Sequence, residues 1–371
     1  MNRKTKIITV VGARPHFIKL AALLKAVDSQ KWDHIVVHSG QHYDDSLSNQ
    51  FFKEFQLPEI EYNLGIGSQL PNLQMADCIR SFDRVLEKEQ PEMVLVIGDT
   101  NTTAAAAIAT KKRNIFLGHI EAGLREFDHS IPEEINKLIT DAISDLYFVP
   151  TQTGLRNLAQ EGITKGVFFT GDIGLDLLVD LDLSVENEKF RSAYSLPEIY
   201  VFMTCHRQAN TDKAGNLRSI LEAASELPYE VVFPLHPRTR KAIDQHQLQQ
   251  CIGKNIRLIE PLGFFDTQKM IKGAKAVLTD SGGVIKESYF HAVPSIIIDR
   301  QTEWIEVLGE GWSVIAGPDK AKILNAFETF SLPVEHKMSL GDGTAARKII
   351  YIIDQFLNAQ RPENTSSSPS H

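Results

Sequence analysis

The sequence predicts an α/β protein of two Rossmann-like, doubly wound domains that face each other across a cleft. Three observations carry this. Short apolar runs recur, each closed by a turn and most followed by apolar residues at helical spacing, the mark of βαβ units. The units come in two series, separated by a polar, mixed stretch from Leu181 to Glu198. The length of 371 residues favours two domains over one.

The first series opens with a strand at Lys6 to Val11. Gly12-Ala13-Arg14-Pro15 turns the chain, and Phe17, Leu20, Leu23, Leu24 and Val27 then recur at helical spacing. The turn lacks G-x-G-x-x-G, so a dinucleotide site has no fingerprint here. Arg14 and Lys19 flank the helix start, a natural place for an anion. Further strands are expected at His34 to His38, Met93 to Ile97, Ile115 to His119, Leu146 to Val149 and Val167 to Thr170. This domain spans residues 1–175. In the second series the candidate strands are Tyr200 to Thr204, Glu230 to Phe233, Ile256 to Ile259, Ala276 to Thr279, Ser295 to Ile298 and Ser313 to Ile315. That domain spans 176–345, and a terminal helix over 346–359 is expected to pack back on the first. The Ser- and Pro-rich tail, 360–371, is expected to be disordered.

Composition narrows the function. Hydrophobic content of 43% and charged content of 23% are those of a soluble globular protein. A net charge of −8 argues against general nucleic-acid binding, which needs a basic face. Cys78, Cys205 and Cys251 have no metal-ligand spacing and make no disulfide framework, which fits a reducing cytoplasm. No apolar stretch reaches the length of a membrane span, and no metal site is expected.

The chemistry gathers between Gly98 and Lys137. Asp99 closes the apolar run Met93 to Ile97, and Glu121 follows the next run. Pro132, with Glu133 and Glu134 behind it, marks a helix N-terminus, and Ile135, Leu138 and Ile139 continue at helical spacing. These acids lie past the ends of elements in one sheet domain, the edge where open α/β sheets bind ligands. Acids grouped there can have their pKa values pushed apart for acid–base work. His119, Arg125 and Lys137 supply a basic set beside them. Glu134 points about 100° away from Glu133 round the helix and serves as its control. Each acid alone reads more readily as a solvated loop carboxylate than as a catalytic group.

The second domain carries its own groups at strand ends. His206 and Arg207 follow its first strand, and His236 and Arg238 follow its second. Ser281-Gly282-Gly283 follows the fourth and opens a helix containing Glu287. Backbone N–H groups at such a start can hold a phosphate, and Glu287 is placed to accept from a ribose.

Taken in order, the motifs GARPHFIK, HSGQHYDDSLSNQFF, GDTNTT, HIEAGL, PEEINK, CHRQAN, HPRT, EPLGFFD and DSGG cover nearly the whole chain. Together they resemble the non-hydrolysing UDP-N-acetylglucosamine 2-epimerases. The resemblance implies a glycosyltransferase-B-like fold, a homodimer, no added cofactor, and UDP held mainly on the second domain. It also implies a role in making precursors of bacterial surface polysaccharide such as lipopolysaccharide. By the same resemblance Asp99, Glu121 and Glu133 are the catalytic carboxylates, and His206 assists the leaving diphosphate. Arg14, Lys19 and Lys137 contact the diphosphate or sugar. His236, Arg238, Ser281, Gly282, Gly283 and Glu287 bind UDP, with Phe264 near the uracil.

This chain also departs from the common pattern. Lys137 stands for an Arg, Ala209 for an acid, and Ile285-Lys286 for Gln-Glu. Thr302-Glu303-Trp304 replaces Thr-Glu-Arg, and the stretch near Gln74 lacks the family's Gln-Thr-Gly. Lys286 and Trp304 instead resemble the branch acting on UDP-2,3-diacetamido-2,3-dideoxyglucuronate, where Lys286 could offset a sugar carboxylate. Three rivals remain: a hydrolysing epimerase, a glycosyltransferase on the same fold, and a nucleotide-sugar binder without turnover.

Overall fold

The computed structural model describes residues 4–40, 55, 57, 60–67, 69–179 and 188–361. The tail from 362 onward, most of the Gly40–Phe55 stretch, the connector at 180–187 and the side chain of Arg14 lie outside the described residues. Two compact units form. One comprises 1–48, 57–177 and 341–371, the other 49–56 and 178–340.

The first unit is built on a parallel sheet of seven strands in the order β3-β2-β1-β4-β5-β6-β7. The strands are β1 (Thr5–Val11), β2 (Trp32–His38), β3 (Tyr62–Asn63), β4 (Met93–Ile97), β5 (Phe116–Ile120), β6 (Leu146–Val149) and β7 (Val167–Phe169). All strands foreseen in the sequence are present; the two-residue β3 was not foreseen. Residues Met93 to Ile97 of β4 are wholly buried, because strands of a parallel sheet are covered on both faces. Helices Arg14–Ala26, Pro71–Glu89, Asn101–Lys112 and Pro132–Ile143 connect them. Phe82, Leu86 and Ala106 pack with Ile8, Val37 and Val94 in one core cluster. The last helix, Ala345–Gln360, lies against this unit. Asp176 accepts from the backbone N–H groups of Ala345 at 3.0 Å and Ala346 at 2.7 Å, capping its start. The Trp32 indole donates to Asp354 at 2.7 Å, and Phe356 meets Phe116 edge-on.

The second unit holds a parallel sheet of six strands in the order β10-β9-β8-β11-β12-β13. They are β8 (Tyr200–Thr204), β9 (Glu230–Pro234), β10 (Ile256–Ile259), β11 (Ala276–Thr279), β12 (Ser295–Ile297) and β13 (Ser313–Ile315). Each sheet has one point where the strand order reverses. In the first it lies between β1 and β4, in the second between β8 and β11. Loops leaving neighbouring strands part there and open a crevice at the carboxyl ends, where ligands bind in such sheets.

Two half-buried imidazoles add acid sensitivity to the fold. Burial lowers the His34 ring from the ordinary 6.5 to about 4, and burial with nearby Lys272 does the same to His291. The native state therefore keeps both rings neutral where the unfolded chain would protonate them. Their contribution is present above pH 6.5 and is lost as pH falls towards 4. The melting temperature is expected to drop across this window, and less so in a His34→Gln/His291→Gln variant; equal slopes in calorimetric scans would refute the assignment.

Candidate functional site

At the switch point of the first sheet, Gly12 follows β1 and comes close to the chain behind it. A Cβ on Gly12 would stand 2.5 Å from Thr102 Oγ1 and 3.0 Å from Ser39 Oγ, so only glycine fits. The Gly12 N–H donates to His16 Nδ1 at 3.2 Å, holding a ring that is 3% exposed. Lys19, in the next turn of the same helix, reaches Glu121 and forms a buried ion pair with it.

Glu121 leaves the end of β5 with φ of +72°, in the left-handed region that non-glycine residues seldom occupy. Such a backbone is kept where surrounding contacts over-determine it, most often at functional sites. Gly98, at φ +65°, leaves β4 alongside. A side chain there would meet His16 Nε2 at 3.3 Å and Glu121 Oε2 at 3.5 Å. Next in the chain, half-exposed Asp99 lies 3.6 Å from the buried ammonium of Lys137. Asn136 donates to the Asp99 carbonyl at 2.9 Å and to Asn101 at 3.1 Å, fixing this loop against the helix Pro132–Ile143.

That helix is turned opposite to its apolar pattern. Its buried residues are Glu134, Asn136, Lys137, Thr140 and Asp141, while Ile135 is 39% exposed. Glu133 is exposed in the first turn. Glu134, the control for Glu133, faces inward. It is 1% exposed and accepts from the backbone N–H groups of Glu126 at 2.9 Å and Phe127 at 3.1 Å, clamping the preceding loop.

The basic set beside the acids also has partners that sequence reasoning missed. Asp141 Oδ1 lies 2.6 Å from His119 Nδ1, and its other oxygen takes Arg125 at 2.8 Å and the Gly123 N–H at 3.0 Å. His119 Nε2 donates to the Gly98 carbonyl at 2.8 Å, and Arg125 is also paired with Glu161. Burial alone would raise the Asp141 carboxyl, but His119 and Arg125 outweigh it and hold the group below the ordinary carboxylate range. One buried carboxylate thus ties together the loops that carry Asp99 and Glu121. A polar residue at each of 134, 137 and 141, one helical face, was the available signal.

At the switch point of the second sheet, Asp280 plays a matching part. Buried at 1% exposure, it accepts from the backbone N–H groups of His206 at 3.0 Å and Arg207 at 2.9 Å, and from Asn210 at 3.1 Å. Burial lowers the His206 imidazole, Asp280 pulls it up, and Arg207 and Arg238 push it down again, so the ring is neutral at neutral pH. His236 stands 5.3 Å from it, centroid to centroid, and caps the helix Pro237–Gln245 by accepting from the Arg238 N–H at 3.1 Å. The Arg238 guanidinium turns back to the His206 carbonyl at 3.3 Å.

Ser281 caps the helix Gly282–Phe290, its hydroxyl facing the Val284 N–H at 3.5 Å. Glu287 lies beside Gly283, 3.9 Å from where a Cβ would sit. Lys286 is no solvated helix face: it is 8% exposed, with its ammonium 4.4 Å above the Trp304 ring. Phe264 opens the helix Phe264–Lys272 and packs against Phe265 and Phe55. Among the described residues no group of His, Cys, Asp and Glu is arranged to hold a metal, and no helix is long and apolar enough to cross a membrane.

Two parallel α/β sheets, each with charged groups and tight glycine turns at its switch point, define a glycosyltransferase-B-like protein. Within that class, the family model of UDP-N-acetylglucosamine 2-epimerase matches residues 25–354. The chain belongs to the UDP-N-acetylglucosamine 2-epimerase family, a family of isomerases. A UDP-N-acetylglucosamine 2-epimerase homolog of Methanococcus maripaludis is 41% identical over 94% of this chain and 99% of its own length. The UDP-2,3-diacetamido-2,3-dideoxy-D-glucuronate 2-epimerase of Pseudomonas aeruginosa is 37% identical over 87% of this chain and 92% of its own. The crystal structure of the Methanocaldococcus jannaschii UDP-GlcNAc 2-epimerase in complex with UDP-GlcNAc and UDP superposes with a TM-score of 0.87. It is 35% identical and covers 95% of this chain and 100% of that one.

Proposed function

We propose that this protein inverts carbon 2 of a UDP-linked 2-acetamido sugar by eliminating UDP and adding it back. The observation that carries the proposal is a pair of acid–lysine couples, Asp99 with Lys137 and Glu121 with Lys19, on the loops after adjacent strands β4 and β5. Carbon 2 has no neighbouring carbonyl to acidify its proton. Loss of that proton is easier if the bond from carbon 1 to the UDP oxygen breaks as it leaves. The C–H electron pair then becomes the carbon 1–carbon 2 double bond, and UDP departs with the C–O pair. Protonation of the 2-acetamidoglucal on its other face and return of UDP to carbon 1 give the epimer. Two faces need two proton-handling groups, drawn from Asp99, Glu121 and Glu133. The departing diphosphate needs donors, which fall to Lys19, Arg14, His206 and the N–H groups of Gly282 and Gly283. Glu287 takes the ribose, His236 and Arg238 complete the UDP site, and Phe264 lies at the uracil.

The names of its relatives support two substrates, UDP-N-acetylglucosamine and the diacetamido-glucuronate analogue. The outward Ile135 and Phe127 support a homodimer and the free cysteines a cytoplasmic enzyme, and a role in making surface-polysaccharide precursors is what the family resemblance implies. Incubation with each substrate in heavy water, read by proton NMR, tests the proposal. The epimer carrying deuterium at carbon 2 is expected. Free sugar would mean a hydrolase, and an unchanged substrate in both tubes would mean a binder or transferase.

A further inference from the structure

The first turn of the helix Pro71–Glu89 is polar inward and apolar outward. Leu73 and, just before the helix, Leu70 face solvent, while Gln74 is 6% exposed. A buried amide is costly unless both its ends are partnered, and those of Gln74 are. Its Nε2 donates to the Gly67 carbonyl at 3.3 Å, and its Oε1 accepts from Asn101 Nδ2 at 2.9 Å. Asn101 Oδ1 in turn accepts from Asn136 Nδ2 at 3.1 Å, and the same Nδ2 donates its second hydrogen to the Asp99 carbonyl at 2.9 Å. Three side-chain amides thus form one chain between two backbone carbonyls. Both ends are acceptors only, so each amide has a single orientation: turning one over would set N–H against N–H or C=O against C=O. From Asn136 to Gly67 the donors all point one way, and hydrogen bonds aligned like this strengthen one another.

We propose that Gln74 is a positioning residue for Asp99, acting through Asn101 and Asn136. The inference rests on the reaction proposed above, in which Asp99 handles a proton, and adds a residue that acts on this acid only through others. Asn136 and Lys137 are neighbours on the helix Pro132–Ile143. The first holds the Asp99 carbonyl, and the second stands 3.6 Å from its carboxylate. Asn101 opens the helix Asn101–Lys112, two residues after Asp99, and Gln74 holds its amide from the far side. Without Gln74 that amide can turn to another acceptor. Asn136 then loses the partner that orients it, and the Asp99 loop loses its clamp beside Lys137.

Steady-state epimerisation by wild type, Gln74→Leu, Asn101→Ala, their double variant and Cys78→Ala tests this. Leu fills much of the same space and makes neither hydrogen bond. Gln74→Leu is expected to lower kcat about ten- to a hundredfold with KM within about twofold, the scale of loss that a misplacement of roughly 1 Å brings. The double variant should lose no more than the worse single, because both cut the same chain. Cys78, one turn further along the inward face, packs with Ala105 in an apolar cluster. Cys78→Ala should lower the melting temperature and leave kcat per folded enzyme unchanged. Wild-type kcat in Gln74→Leu, an equal loss of kcat in Cys78→Ala, or multiplying losses in the double variant would overturn the role. The chain is also read without turnover. In the crystal structure of Gln74→Leu the gap between Asp99 and Lys137 should widen beyond 3.6 Å, and an unmoved Asp99 would refute the proposal. A wild type that epimerises neither substrate, with Asp99 displaced in the variant, would instead overturn the reaction proposed above.

Discussion

Asp99→Asn, Glu121→Gln and Glu133→Gln are each expected to cut turnover by about two to four orders of magnitude, the usual cost of removing a proton-handling group. UDP affinity, which the proposal assigns mainly to the second unit, should change much less. The three substitutions differ in their structural consequences. Glu133 is exposed, so its variant should melt within a degree or two of wild type, whereas Asp99→Asn leaves the buried Lys137 ammonium facing a neutral amide and should lower the melting temperature. Glu121→Gln leaves Lys19, 9% exposed, facing a neutral amide, and should lower the melting temperature as well as the rate. Effects within the set should not add, because the acids act on one proton transfer sequence. Asp128→Asn, an exposed acid in the loop before the same helix, should retain full rate. Glu134→Gln belongs to neither group. It turns an amide N–H toward a backbone N–H, so a stability cost of about 1–3 kcal/mol is expected. Steady-state kinetics with scanning calorimetry separates these outcomes. Wild-type turnover in all three acid variants would remove the elimination–addition mechanism.

How far the sequence spoke depended on what each element is for. Strands such as Met93–Ile97 were legible because a strand covered on both faces must be apolar throughout. The two residues of β3 carry no period and could not be read. The helix Pro132–Ile143 was legible at its start and misleading in its orientation. Its apolar period pointed Ile135 inward, whereas the inward face is Glu134, Asn136, Lys137, Thr140 and Asp141. Burying polar groups is tolerable only when each is partnered, and here the partners include backbone groups of nearby loops and the side chains of Asp99, His119 and Arg125. Most of those partners lie 16 or more residues away in sequence, so no helical spacing rule finds them.

The Asp141 cluster should carry the largest stability effect in the first unit. Asp141→Asn keeps the shape and an acceptor for the Gly123 N–H, but it leaves Arg125 and His119 without their shared carboxylate. Breaking a buried charge network by removing one partner costs about 3–5 kcal/mol. The melting temperature should fall by roughly 10 °C, at about 2–4 °C per kcal/mol for a domain of this size. Because the Asp141 carboxyl sits below its ordinary pKa, its contribution is present at neutral pH and fades as pH falls through the acid range. Wild type and variant should therefore converge in stability on acidification. His119→Gln alone should also destabilise, and the double variant should lose less than the two singles together, since the sites touch. Activity should fall with stability held in check: below the melting range, turnover should drop more than substrate affinity, because His119 holds the Gly98 carbonyl beside Asp99 and Asp141 holds the Gly123 N–H beside Glu121. A variant melting within 2 °C of wild type, or strictly additive losses in the double variant, would show that the network does not couple these loops.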